Sequence, residues 1–92
     1  MRYTVELLGY DERRECYKFV SLLRDFGTDF KGANSYAKDL AYNHTEEVAD
    51  EVRRKRKALL PFLVDVNCVH NGYGRPMFGY EYDGRSIEKV TL

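Results

Sequence analysis

Polar and apolar residues alternate over residues 2 to 8, where Tyr3, Val5 and Leu7 are set against Arg2, Thr4 and Glu6. A period of two is that of a half-buried strand, and Gly9 predicts its end. Beyond Asp11, which can serve as a helix N-cap, Cys16, Phe19, Val20, Leu23 and Phe26 recur at three- and four-residue spacing up to Gly27. That period predicts a helix closed by a left-handed glycine. Thr28 to Asn34 reads as a loop, and Ser35 to Tyr42 as a short second helix carrying Tyr36, Ala37, Leu40 and Ala41.

Thr45 is the expected N-cap of a third helix reaching about Leu59, with Glu46 and Glu47 in its first turn and Arg53 to Lys57 towards its end. Those charges complement the helix dipole. Pro61 stops the helix, and Phe62, Val64, Val66 and Cys68 then alternate with Asp65 and Asn67 as a second strand. Asp83-Gly84 signals a two-residue hairpin joining Met77–Tyr82 to Arg85–Thr91, with Tyr80 opposite Ile87 and Phe78 opposite Lys89. The resulting order is βαααβββ. It predicts an α+β two-layer sandwich, with a largely antiparallel four-stranded sheet and helices on one face. Strand order is left open, including local parallel pairing of the first strand.

Ninety-two residues predict one domain, 1–92, with a core near the lower limit for unaided stability. An apolar fraction of 43% is too high for disorder, and no apolar run is long enough to span a membrane. Fifteen basic and fifteen acidic side chains balance, so net charge selects neither a nucleic-acid binder nor an acidic mimic of one. The opening residues are polar and enter a strand pattern, so no signal peptide is visible and a cytoplasmic setting is expected. There, Cys16 and Cys68 are expected as free thiols. The histidines His44 and His70 add two soft ligands, but Cys68-x-His70 is the sole close pair, so neither metal nor cofactor is expected.

Candidate recognition chemistry concentrates in His70-Asn71-Gly72-Tyr73-Gly74-Arg75-Pro76, which joins an imidazole, an aromatic ring and a guanidinium to two permissive glycines. Turn chemistry alone also accounts for these residue types. Gly72-Tyr73-Gly74 followed by Phe78 is faintly similar to the RNP1 motif of RNA-recognition domains. Asn71, Arg75 and Pro76 depart from that motif, the element order differs from that family's βαββαβ, and the similarity is assigned to chance. Its physical content is that Tyr73 and Arg75 can stack on a flat ligand.

In the run Arg53 to Lys57, pairing of Asp50 with Arg54 and of Glu51 with Lys55 leaves Arg56 and Lys57 as the freer cations. Among eight tyrosines, Tyr10, Tyr42, Tyr73 and Tyr82 lie near element ends, where a phenol stays accessible. Ser21, Ser35 and Ser86 lack a nucleophile-elbow context, neither cysteine has a paired-histidine signature, and catalysis is not expected. Asp65, Glu81 and Asp83 are expected to face solvent or form turns, in preference to gathering a divalent cation.

The function expected is a non-catalytic interaction module with a protein partner, bound through His70, Asn71, Tyr73, Arg75, Tyr82, Arg56 and Lys57. A viral or mobile-element accessory protein inhibiting a host factor would fit that description. The alternative is a nucleotide or nucleic-acid binder in which Tyr73 stacks and Arg75, Arg56 and Lys57 meet phosphate. Open sheet edges also allow a homodimer.

Overall fold

A computed structural model describes residues 1–56 and 62–92, with residue 56 described through its backbone only. The elements are β1 (Arg2–Asp11), β2 (Cys16–Asp25), α1 (Phe30–Asn43), α2 (Thr45–Arg56), β3 (Phe62–His70), β4 (Tyr73–Tyr82) and β5 (Ile87–Thr91). The α+β class is as expected. The order is ββααβββ, however, and the sheet has five strands in the order β2-β1-β3-β4-β5, every neighbouring pair antiparallel.

The main correction is β2, which occupies the span expected to be the first helix. Asp11 does not cap a helix. Its Oδ1 accepts from the Arg13 and Arg14 N–H groups at 2.9 and 3.4 Å and so turns the chain back on β1. The β1–β2 pairing then slips twice, between Val5 and Glu6 and between Leu7 and Leu8, with the extra residues on β2. Each bulge lengthens the spacing between side chains on one face from two residues to three. Phe19, Leu22 and Asp25, opposite Leu8, Glu6 and Thr4, therefore share a face at a spacing that imitates a helix.

Gly27 does adopt a positive φ of 58°, but as the link from β2 into α1. Asp29 caps α1 by accepting from Gly32 N at 2.9 Å, so residues 30–34, expected as loop, form its opening turns. Ala33, Ala37 and Ala41 are fully buried at four-residue spacing. Their small side chains let α1 lie close to Val5, Val64, Val66 and Phe78 in the core, which α2 joins through Val48, Ala49 and Val52. Thr45 Oγ1 donates back to the Ala41 carbonyl at 2.5 Å instead of capping α2. The expected continuation of α2 to Leu59 and its stop at Pro61 lie outside the described residues.

β3 begins at Phe62 as expected, whereas β4 begins at Tyr73 and contains Pro76. Pro76 is tolerated because it adjoins the slip between Val66 and Asn67 and lies beyond the reach of β5, where no further ladder bond is lost. The β4–β5 connection is also longer than two residues. Asp83 Oδ1 accepts from Arg85 N at 2.8 Å and Ser86 N at 3.0 Å, and Tyr82 pairs with Ile87, Tyr80 with Lys89 and Phe78 with Thr91. That register differs from the expected one by two residues, an even shift that leaves every side chain on its face. No helix among the described residues is long and apolar enough to cross a membrane.

Candidate functional site

The β3–β4 hairpin gathers four of the residues singled out in the sequence. Asn71 and Gly72 have φ of 51° and 81°, the left-handed pair of a type I′ turn, and they set His70 opposite Tyr73 and Cys68 opposite Arg75. β1 pairs only as far as Val69, and β5 ends opposite Phe78, so the hairpin tip extends past both neighbours. Tyr73 is 81% exposed there, and His70, Asn71 and Arg75 are exposed with it. The segment expected as a loop is thus a turn and the start of a strand.

Tyr82 does not join them. It ends the ten-residue β4, about 30 Å from Tyr73, with its ring centroid 5.3 Å from that of Phe62. The side chain of Arg56, and Lys57 as a whole, lie outside the described residues. Further back in α2, Arg53 pairs with Asp50 at 2.9 Å, while Arg54 and Lys55 both pair with Glu51, the latter at 3.6 Å. The Asp50–Arg54 pair expected from sequence is replaced by closer partners three residues apart. Cys16 and Cys68 are free thiols, and Cys68 Sγ lies 3.3 Å from Met1 Sδ. No cluster of three or more metal-ligating side chains occurs among the described residues.

A second locus lies on the sheet face turned away from the helices. Strand register places Thr4, Glu6 and Leu8 of β1 there, opposite Asn67, Asp65 and Leu63 of β3. Glu81 of β4 and Tyr17 of β2 complete it, and the Tyr17 hydroxyl donates to Glu81 Oε2. That bond crosses three strand steps, about 14 Å on a flat sheet, so the sheet must curve towards this side. On this face Asp65 is 1%, Asn67 4% and Thr4 9% exposed.

Asp65 was expected to face solvent, and its burial overturns that expectation. Its Oδ1, Asn67 Nδ2 and Thr4 Oγ1 have no hydrogen-bond partner among the described residues. Ser21 Oγ is also unpartnered but pairs in register with Leu7, on the opposite face. Burial pushes the Asp65 carboxyl up to about 7, and the neighbouring Glu6 charge adds to the rise. Asn67 opposes it weakly, standing close enough to favour the carboxylate without making a well-formed hydrogen bond. Burial also raises Glu6 above its usual range. Sequence patterning missed this cluster because alternation assigns every second residue of β3 to solvent. The available signal was Leu63 among those residues, an apolar side chain on the nominally polar face.

Comparison with known protein families, with curated proteins and with solved structures returned no match.

Proposed function

We propose that the chain is a non-catalytic interaction module that recognises a protein partner through the β3–β4 hairpin, with Tyr73 and Arg75 as its principal contacts. The observation that carries this reading is the 81% exposure of Tyr73 at the tip of an ordered hairpin. An aromatic ring in that position has little to contribute to the protein's own core, yet offers apolar area and a hydrogen-bonding hydroxyl to another surface. Cross-strand pairing and the type I′ turn fix the backbone beforehand, which lowers the entropy lost on binding. Arg75, on the same side of the hairpin as Tyr73, supplies the second residue type over-represented at interface hot spots.

Protein is favoured over nucleic acid by charge. The chain has no net charge, and Arg53, Arg54 and Lys55 are each held by a carboxylate of their own helix. A cytoplasmic setting is consistent with the two unbridged cysteines.

The test is affinity capture with the wild type and with the double variant Tyr73→Ala/Arg75→Ala. A partner protein retained by the first is expected to be lost by the second, while folding stability changes by no more than about 0.5 kcal/mol. Equal retention by a folded double variant would refute this assignment. Salt-sensitive binding to single- or double-stranded oligonucleotides would replace it with the nucleic-acid alternative.

A further inference from the structure

We propose that the helix-free face holds a ligand site for a small organic monocation, an ammonium or guanidinium head group with a short apolar tail, bound between Glu6 and Asp65. Three observations converge on it. Thr4, Asp65 and Asn67 are all more than nine-tenths buried, sit on neighbouring strands of one face, and each keeps a polar atom without a partner among the described residues. Buried polar atoms are ordinarily paired, and leaving three unmatched together disfavours the unliganded state unless something supplies the missing bonds. Asp65 Oδ1 is an acceptor and the Thr4 hydroxyl can accept as well as donate, which suits a donor-rich head group, whereas Asn67 Nδ2 is itself a donor whose acceptor is the ionised Asp65 carboxylate beside it.

Charge selects the class of ligand. Glu6, Asp65, Glu81 and its β5 partner Glu88 lie on this face, whereas Arg2, which register also places there, is already engaged by Asp25. Of the tyrosines that register places on this face, Tyr17 is committed to Glu81 and Tyr10 packs edge-on against Tyr17. A monocation would offset the repulsion between Glu6 and Asp65, and Leu8 and Leu63, paired immediately beside them, provide an apolar wall for a tail. The depth argues for a free small molecule: Asp65 is closed to solvent and its cross-strand neighbour Glu6 is half-buried, so side chains must move for a ligand to reach Asp65, which a partner's flat surface cannot bring about.

Binding of a cation must deprotonate Asp65, so affinity is tied to pH through a carboxyl that titrates near 7. The experiment follows butylammonium and butylguanidinium binding by backbone amide NMR shifts at pH 8 and pH 6, with butanol as the uncharged probe. Saturable shifts centred on residues 4–6 and 65–67 are expected with at least one cation, weakening about tenfold at pH 6. Butanol should not reproduce them. Asp65→Asn should weaken binding at least tenfold, and since it replaces a buried acid by an uncharged amide of similar shape, it should fold at least as well as the wild type. Glu6→Gln provides a second variant at the more exposed position, with the same loss expected. The proposal is overturned if neither cation gives saturable shifts at pH 8, if butanol binds equally, or if the folded Asp65→Asn protein binds as the wild type does. The hairpin reading is independent of all these outcomes, because neither Tyr73 nor Arg75 belongs to this face.

Discussion

Asp65 places an acid in the middle of a central strand, and its energetic consequence has a definite sign. Its carboxyl titrates near 7 in the folded protein against 3.8 for an unhindered one, chiefly because burial penalises the anion and secondarily because Glu6 lies opposite. The folded state therefore holds this proton more tightly than the unfolded chain. Stability from this group is fully present below the unfolded value and is lost as pH rises towards 7, by up to about 1.4 kcal/mol per pH unit. Asp11 and Asp83, lowered by the Lys18 contact and by backbone N–H donors respectively, act in the opposite sense as pH falls below their unfolded values. Urea denaturation from pH 4 to pH 8 is expected to show declining stability in the wild type and a much flatter profile in Asp65→Asn. A wild-type profile that rises over the same window would contradict the assignment. Beside Asp65, a Cβ added at Gly79 would meet Leu63 Cδ1 at 2.7 Å, the Val64 carbonyl oxygen at 3.0 Å and Asp65 Cβ at 3.1 Å. Leu63 can shift but the backbone oxygen resists, so Gly79→Ala should cost about 1–3 kcal/mol in a urea midpoint comparison.

Strands and helices differ in how openly the chain declares them. β1 and β3 were legible because alternation runs through most of each, with Leu8 and Leu63 as exceptions, and the Asn71-Gly72 and Asp83-Gly84 pairs marked real turns. β2 was not, since its two bulges convert the period of a strand into that of a helix, and only pairing with β1 distinguishes the two. The start of α1 was hidden by Gly27 and Gly32, whose loop-like composition outweighed a single capping aspartate. Asp29→Ala removes that cap and is expected to destabilise the protein by about 1 kcal/mol. Thr45→Ala should have a smaller effect, because the Thr45 hydroxyl bonds back to Ala41 and satisfies no free N–H of α2. Chemical denaturation of the two variants side by side checks the order.

For the molecule as a whole, the two sheet edges decide whether it self-associates. β2 is interrupted by two bulges and β5 is only five residues long, with Glu88 and Lys89 exposed on it. Both features blunt an edge against pairing with a second copy. Light scattering over a concentration series is expected to return a monomer. A mass that rises with concentration would show that one edge pairs in spite of them. The candidate hairpin and the polar face are set apart in the same way, one on an extended tip and the other on the curved centre of the sheet, so variants in one should leave the other's binding unchanged.

The sequence alone determined what depends on neighbours along the chain: the α+β class, the strands in which alternation predominates, the turn chemistry at Asn71-Gly72, and the grouping of Tyr73 with Arg75 around it. Local periodicity and φ preferences suffice for those. Tertiary structure decided what depends on residues far apart in sequence. It made β2 a strand through bulged pairing with β1, separated Tyr82 from the hairpin by the length of β4, and buried Asp65. Alternation states that a side chain lies on one face of a sheet, but only the packing around that face in three dimensions determines whether it meets water.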